Sequence, residues 1–406
     1  MSCVENEPNR GCLFLFLIIL IVPLGQIPVD FYSPALPDIA KDLQTSATLT
    51  QFTVTIFIIF SGLGNVPIGA ISDALGRRKV LLVSLVGLIL STVGCAVAPS
   101  IEVLFIARAF EGLFAACGFV ICYAYAGDTY SGHQLTRTFG ILGAAWASVP
   151  VIAPGIGGIV VHSLGWRPMF WILSGFMLLL LALFWWMLPE SLPPERRQPL
   201  KIKGVLKSCG LTLGNKSYLT LCGVFMFGAS IQFVFVAAAP FLYQEEMQFS
   251  ARTYGFIALA IGFGNLIGNG AVGLLAKSIR PIGLILIGLC LIWLGTLSLL
   301  ISGFVAPLNA LVISITLGIA LIGSAMTCPA SVALAVGLFP ERIGIGSALI
   351  STVGFFGVGI SVAVGGILNM TTQLPMAFVF LVLVSLETVA FLLARWALRR
   401  ETPTTS

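Results

Sequence analysis

The segment GAISDALGRRK, at residues 69–79, separates two long apolar stretches near residues 48–71 and 79–98. It contains one acid, Asp73, two glycines and three consecutive basic residues. Glycine permits the tight turn that a short connection between two helices needs, and Asp73 can pair with a nearby arginine or cap the following helix. A basic turn between two apolar stretches of this length is typical of a cytoplasmic loop between membrane-spanning helices.

The composition of the whole chain extends this interpretation. Of 406 residues, 58% are apolar and only 9% are charged, whereas soluble domains carry about 25% charged residues, so lipid must be the solvent for most of the chain. Apolar stretches of about 20 residues, enough to cross a bilayer core, recur along it. We predict twelve spans, near residues 12–35, 48–71, 79–98, 102–124, 138–162, 168–188, 217–242, 252–275, 281–303, 306–329, 344–369 and 375–397.

The basic residues predict the orientation. With both termini in the cytoplasm, seventeen of the 21 Lys and Arg residues lie on the cytoplasmic side and three on the outer side, which leaves Arg108 inside span 4. This asymmetry follows the positive-inside rule and explains the net charge of +5 without nucleic acid. Glu5 and Glu7 precede the first apolar stretch and no cleavage site is evident, so we expect a retained first helix.

The two halves of the chain resemble each other. Residues 62–65 (GLGN) in span 2 match residues 262–265 (GFGN) in span 8, and a second short match links spans 5 and 11. Parallel repeats of this kind enclose a substrate cavity near the middle of the membrane. We therefore expect an N-terminal six-helix bundle at residues 1–188, a polar, basic cytoplasmic linker at 189–216 and a C-terminal six-helix bundle at 217–406.

The segment at 69–79 resembles the signature between spans 2 and 3 of the major facilitator superfamily, and the twelve-span layout extends the resemblance over essentially the whole chain. It implies an all-α membrane protein with twelve transmembrane helices in two six-helix bundles. The protein would act as a monomer without a cofactor. In that family the motif latches the bundles together on the cytoplasmic side in the outward-facing state. The motif residues here are Gly69, Asp73, Gly76, Arg77 and Arg78.

Span 4 contains two charged residues, Arg108 and Glu111, three positions apart. Charge inside a span is costly and is usually functional, and this spacing places both side chains on one helix face. They would either neutralise each other to orient the helix or take part in transport. An arginine followed by small residues here resembles the family's span-4 motif for proton coupling, in which a neutral polar residue is common at the position of Glu111.

Span 1 ends in PVDFYSPALP, at residues 28–37, in which Asp30 is the first acid. A carboxylate in a partly dehydrated cavity can take up and release protons near neutral pH, although Asp30 could also simply face the outer water. The run resembles the first-span signature of drug exporters of the Bcr/CflA type. The resemblance makes Asp30 the first candidate for proton exchange, supported by Gln26 one turn earlier. Further Bcr/CflA-like stretches are residues 240–243 and 339–342.

Span 5 contains two prolines four positions apart, followed by glycines that permit close helix contact. This pattern could be generic packing of a kinked helix. It resembles the antiporter motif of exporters, with Pro150, Pro154, Gly157 and Gly158 as its residues, and that resemblance favours export over uptake.

Several other residues are candidates for the substrate cavity. An amide inside a span can line a cavity or bond a neighbouring helix, and an aromatic ring can bind a cationic or apolar ligand or anchor the helix at the interface. We discount Glu387 because span 12 is usually peripheral in this fold. The remaining candidates are Tyr32, Asn65, Tyr123, Trp146, Gln232 and Asn265.

Other classes of function are disfavoured. The nine cysteines show no metal-like clustering, and the two histidines, His133 and His162, lie near span ends without acids or cysteines at metal spacing. No ATP-binding loop of Gly-x-x-x-x-Gly-Lys-Ser/Thr type occurs, and no nucleophilic serine motif. We predict a proton-coupled exporter in the inner membrane, for apolar or cationic drugs, metabolites or siderophores. An uptake symporter is the alternative, and a membrane enzyme or sensor is a third possibility.

Overall fold

The computed structural model describes residues 8–197, 202–339, 343–368 and 371–401. Within these ranges the regular structure is entirely helical, and twelve helices are long and apolar enough to cross a membrane. The predicted fold class and number of spans are confirmed. The spans are Leu13–Asp42, Ala47–Leu75, Arg77–Ala96, Ile101–Thr129, Gly132–Leu164, Trp166–Met187, Lys216–Glu246, Ala251–Leu275, Pro281–Val305, Ala310–Gly337, Ile345–Ile367 and Leu374–Arg400.

The ends of the helices differ from the predicted ends by up to two turns. Span 10, for example, was predicted at 306–329 and runs over Ala310–Gly337. It begins there because the Asn309 side chain accepts a hydrogen bond from the Val312 N–H at 3.2 Å. The apolar pattern indicates only the part of a helix that lies in the hydrocarbon core, whereas the backbone hydrogen bonds of the helix continue into its polar ends.

Span 1 is a broken helix, and the break positions its acid. Helical segments at Pro8–Ile21 and Pro23–Asp30 are followed by a 3₁₀ turn at Ser33–Ala35 and a last segment at Leu36–Asp42. Pro34 has no N–H to donate, and its ring would clash with the carbonyl four residues earlier, which belongs to Asp30. The regular helix therefore ends at Asp30, next to the interface between the bundles.

Spans 1–6 pack mainly against one another, as do spans 7–12, and the two sets meet where span 2 contacts span 11 and span 5 contacts span 8. This packing supports the proposed division into bundles at residues 1–188 and 217–406. The proposed linker, 189–216, contains a helix at Ile202–Leu213 that the sequence analysis did not anticipate. Residues 198–201 of the linker and residues 340–342 of the Bcr/CflA-like stretch lie outside the described part of the chain.

The bundles are in close contact at one end of the interface. A Cβ atom at Gly262 would lie 2.8 Å from the Pro150 carbonyl oxygen, and one at Gly255 would lie 2.7 Å from that of Pro154. Only glycine permits such an approach of spans 5 and 8. This is the end opposite the basic loops, which we call the outer end.

The bundles separate toward the other end, where the basic loops lie. Gly143 and Gly140 continue the contacting side of span 5, and Gly273 continues that of span 8. Among the described residues, no atom of a neighbouring element lies within 4 Å of a Cβ built at any of these three. Spans 5 and 8 are therefore closely packed at one end and lack such close contacts at the three glycines toward the basic loops, an arrangement that we propose to be inward-facing.

Candidate functional site

A narrow central cavity lies between the bundles near the level at which they meet. The N-terminal bundle contributes Asp30, Ser33 and the two prolines of span 5, Pro150 and Pro154. The C-terminal bundle contributes residues of spans 7, 8 and 10. These are Gln232, Phe235, Val236, Tyr254, Ala258, Gly262, Asn265 and Leu321. Motion of either bundle would change this cavity, as alternating access requires.

Asp30 is the acid of this cavity. Its side chain is fully buried, and Oδ2 accepts a 2.9 Å hydrogen bond from Gln26 Nε2. Oδ1 has no hydrogen-bond partner among the described residues. Gln26 lines a second cavity next to the first, with Phe57, Phe233 and Phe355. Gln26, expected one turn before Asp30 on the same helix face, is thus bonded to it, and the second carboxyl oxygen has no partner among the described residues.

Just beyond Asp30, polar contacts between the bundles close the outer end. Ser33 Oγ donates to the Val236 carbonyl at 2.7 Å and lies 3.2 Å from the Tyr254 hydroxyl. Gln244 Nε2 donates to the Pro34 carbonyl at 3.0 Å. None of these contacts was predicted from the sequence. Ser33 lies within the quoted run, but nothing in the sequence identified its partners on spans 7 and 8.

On the C-terminal side, three amides form a chain into the open part of the interface. Asn265 Nδ2 donates to Gln232 Oε1 at 2.7 Å, and Asn269 Nδ2 donates to Asn265 Oδ1 at 2.7 Å. Gln232 and Asn265 line the central cavity. They also bond each other across spans 7 and 8, so the two residues both line the cavity and join neighbouring helices.

Arg108 and Glu111 form an ion pair inside the N-terminal bundle. Both side chains are fully buried, and Arg108 Nη1 lies 2.6 Å from Glu111 Oε2. Thr92 Oγ1 donates to Glu111 Oε1 at 2.7 Å, and Cys95 Sγ lies 3.5 Å from Oε2. The carboxylate is thus satisfied by spans 3 and 4, and it does not line the central cavity.

The Arg108 guanidinium also joins span 4 to span 1. Nη1 donates to the Pro28 carbonyl at 3.0 Å, two residues before Asp30. Its Cζ lies 4.5 Å from the centroid of the Tyr32 ring and 4.4 Å from that of Phe57, so the cation is held between two aromatic faces. Arg108 therefore positions the backbone that carries Asp30.

Tyr32, a predicted cavity residue, lies in this buried cluster. Its hydroxyl is 2.7 Å from Thr53 Oγ1, and its ring packs on Phe170 with centroids 5.6 Å apart. In this conformation it contacts Arg108 instead of lining the central cavity.

The other two aromatic candidates belong to one cluster on spans 4 and 5. The Phe119 ring centroid lies 5.1 Å from that of Tyr123 and 5.5 Å from that of Trp146. Phe139 extends the cluster, 5.2 Å from Tyr123. Tyr123 and Trp146 are partly exposed, so the cluster presents aromatic surface and both residues stay candidates for ligand contact.

Asn65 of span 2 is fully buried, and neither atom of its amide group has a hydrogen-bond partner among the described residues. A buried amide without partners is costly, so Asn65 stays a candidate for contact with a ligand or with water.

The span-5 motif shapes the interface between the bundles. Pro150 and Pro154 line the cavity, and their carbonyls face the glycines of span 8. A Cβ at Gly157 would collide with the Phe31 carbonyl of span 1, and one at Gly158 with the Ala251 carbonyl of span 8. The motif therefore holds span 5 against both the Asp30 segment and the other bundle.

The predicted gate motif is engaged within the N-terminal bundle. Arg77 lies 2.5 Å from Asp73 and 3.0 Å from Asp128, and Nη1 donates to Ser72 Oγ at 2.7 Å. The Arg77 N–H donates to Glu190 Oε1 at 2.8 Å. Asp128 and Glu190 were not identified from the sequence, although both are acids next to span ends.

The rest of the motif surrounds the same turn. Gly76 has a φ of +101°, which favours glycine, and a Cβ there would collide with Glu190. Arg78 donates to the Trp185 carbonyl at 2.5 Å, and Gly69 lies closest to Val120. All of these partners belong to the N-terminal half of the chain.

Comparison with known proteins agrees with this architecture. The family model described as Major Facilitator Superfamily matches residues 15–328. The uncharacterized MFS-type transporter YdgK of Bacillus subtilis is 32% identical over 397 residues, which cover 96% of this chain and 97% of YdgK. A bicyclomycin resistance protein homolog of Haemophilus influenzae is 28% identical over 242 residues, 59% of this chain and 60% of that protein. The crystal structure of a D-xylose–proton symporter superposes with a TM-score of 0.77 at 18% identity, covering 94% of this chain and 97% of the symporter.

Proposed function

Since the chain belongs to the Major Facilitator Superfamily, we propose that this multi-pass membrane transporter is a proton-coupled exporter of small apolar or cationic compounds. The observation that carries the proposal is the free, buried Oδ1 of Asp30 in a cavity shared by both bundles. We further propose that it works as a monomer in the inner membrane, with both termini in the cytoplasm, and that it acts on its substrates without chemical change.

In the proposed cycle, substrate enters the open cytoplasmic side and binds between the aromatic wall of Tyr123 and Trp146 and the amides of Gln232 and Asn265. The ionised Asp30 carboxylate attracts a cationic or hydrogen-bonding substrate. The gate residues then latch the cytoplasmic side, and the Ser33 contacts with the C-terminal bundle break to open the outer side. A proton from outside neutralises Asp30, which weakens substrate binding and releases the substrate outward.

The proton leaves Asp30 when the cavity faces the cytoplasm again. We assign the coupling role to Asp30 over Glu111, because Glu111 is already paired with Arg108 and lies away from the cavity. Arg108 acts by fixing the Pro28 carbonyl, and thereby the Asp30 backbone. For a neutral substrate, movement of one elementary charge across 100 mV is worth about 2.3 kcal/mol, so one proton per cycle can drive accumulation. Exchange of one proton for a monovalent cation moves no net charge, and the pH gradient alone drives it.

Export is favoured by the span-5 motif, which packs against both Phe31 and the C-terminal bundle, and by the relative whose name refers to bicyclomycin resistance. An uptake symporter on the same fold is the competing candidate, and the structural likeness to a D-xylose–proton symporter fits it at the level of the fold.

Inverted membrane vesicles separate the two candidates. With an inside-acid proton gradient, an exporter should concentrate bicyclomycin or a lipophilic cationic dye inside the vesicles, and collapse of the gradient should release it. Vesicles that contain the Asp30→Asn variant are the control and should not accumulate either compound. Gradient-driven loss of a preloaded compound from wild-type vesicles would instead support the symporter.

A further inference from the structure

Glu387, which the sequence analysis discounted, lies inside the C-terminal bundle. Its side chain is fully buried, and neither carboxyl oxygen makes a hydrogen bond to any described residue. An ionised carboxylate in this position would be an unpaired charge in a low-dielectric interior, which is strongly unfavourable. With the described residues around it, the Glu387 side chain is therefore more stable in its neutral, protonated form than as a carboxylate.

The residues around Glu387 fit a protonated carboxyl. A Cβ built at Gly228 would lie 2.7 Å from Thr327 Oγ1 and 2.8 Å from Glu387 Oε1. Both side chains therefore pack against the same glycine. The Thr327 hydroxyl donates its hydrogen to the Ser324 carbonyl at 3.2 Å, which leaves its lone pairs free. In this orientation it can accept a hydrogen bond from a neutral acid.

The described neighbours of Glu387 bring it no opposite charge. Span 7 presents Gly228 to it, and span 10 presents Thr327 and Cys328. Spans 9 and 11, the other neighbours of span 12, carry no Asp, Glu, Lys, Arg or His over Pro281–Val305 and Ile345–Ile367. Cys328 is the titratable group that the described contacts at Gly228 place beside Glu387.

The site lies close to the central cavity and to the second cavity. Gly228 precedes the cavity residue Gln232 by one helical turn on span 7. Cys328 is partly exposed and lies next to the Phe225 carbonyl, and the Phe225 ring packs on Phe355 of the second cavity at 6.3 Å. Motion of span 7 against spans 10 and 12 would therefore open the space around Glu387 toward the interface between the bundles.

We propose that Glu387 is a second proton-binding site, in the C-terminal bundle, which takes up and releases a proton as span 7 moves during the transport cycle. The proton binds one carboxylate oxygen, donates to Thr327 Oγ1 in the closed site, and leaves to water when the site opens. The role of this step in transport rests on the proposed proton-driven cycle. The presence of a proton on Glu387 does not depend on that cycle.

The presence of the proton can be tested by infrared spectroscopy of the full chain in lipid nanodiscs, without substrate. Wild type should show the C=O absorption of a protonated carboxylic acid at neutral pH, sensitive to D₂O and lost reversibly as the pH is raised within the folded range. Glu387→Gln should remove this absorption, and Asp30→Asn should retain it. Thr327→Val should move it to higher wavenumber, because the O–H loses its acceptor.

The proposal is overturned if Glu387→Gln leaves every protonated-acid absorption unchanged, or if the Glu387 absorption neither titrates nor exchanges in D₂O, which would make it a permanently neutral structural group. If Glu387→Gln does not fold, the Thr327→Val variant tests the proposal instead. An unshifted C=O absorption in that variant would contradict the assignment to Glu387. In vesicles that accumulate bicyclomycin, Glu387→Gln should lower the number of protons moved per substrate. An absence of gradient-driven transport in wild type would instead refute the proposed function and leave the infrared result valid.

Discussion

Glu111 in the N-terminal bundle and Glu387 in the C-terminal bundle are both fully buried carboxyls in the middle of a membrane helix, but their surroundings differ. Glu111 has Arg108, Thr92 and Cys95 around it, and the arginine is itself held by two rings and a carbonyl. Glu387 has no hydrogen-bond partner among the described residues. The Glu111 carboxylate is thus held in a structural ion pair, whereas the surroundings of Glu387 suit an acid that gains and loses a proton.

Asp30 stands between these two extremes. Asp30 lines the central cavity, one of its oxygens accepts a hydrogen bond from Gln26, and the other has no hydrogen-bond partner among the described residues. The comparison indicates that pairing, and not burial alone, separates a structural acid from a proton carrier. The following substitutions test that distinction, from the largest expected effect to the smallest.

Glu111→Gln should be the most destabilising change, because it leaves the buried Arg108 cation without its counter-ion. Breaking a buried pair costs about 3–5 kcal/mol. Thermal unfolding in detergent should show the loss as a lower transition temperature. The double variant Arg108→Met/Glu111→Gln should recover part of it, since it removes the uncompensated charge, and equal instability of the single and double variants would argue against a structural ion pair.

Gly228→Ala should be destabilising by about 1–3 kcal/mol, the usual cost of forcing extra volume into a packed core. The added methyl would lie 2.8 Å from Glu387 Oε1 and 2.7 Å from Thr327 Oγ1. Gly318→Ala, in the same bundle and with no neighbouring element within 4 Å of the new atom, is the matched control and should be neutral or stabilising. Similar unfolding temperatures for the two variants would contradict the close approach of Glu387 to span 7.

Glu387→Gln should change the free energy of unfolding by less than about 1 kcal/mol, because an amide replaces a neutral acid of similar shape. The same substitution at Glu111 provides the direct contrast between the bundles. A loss at Glu387 as large as the loss at Glu111 would show that Glu387 is ionised and paired.

Asp73→Ala should have the smallest effect on stability, since the Asp73 side chain is 51% exposed and exposed ion pairs contribute about 0–1 kcal/mol. Transport turnover should nevertheless fall, because the proposed latch forms only after the cytoplasmic side closes. Equilibrium ligand binding should be preserved. Undiminished turnover would mean that this charge is dispensable for the conformational cycle.

The sequence was informative about elements that the bilayer dictates. Long apolar stretches predict the twelve spans, and the 28–37 run places one acid, Asp30, near the end of span 1. The surroundings of individual side chains could not be predicted from the sequence, because they depend on the rotation of each helix about its own axis. Tyr32 was expected in the cavity, yet it faces Arg108. Glu387 was discounted because span 12 is peripheral, although a peripheral helix still buries one of its faces.

Asp30 is the central claim, and proton release from the purified protein tests it most directly. Wild type and Asp30→Asn, in weakly buffered detergent solution, would each be titrated with bicyclomycin and a lipophilic cationic dye while the pH is recorded. Competition between proton and substrate at Asp30 predicts that wild type releases protons on binding and that the variant binds without release. Equal release from both proteins would contradict the assignment and move the coupling to another residue.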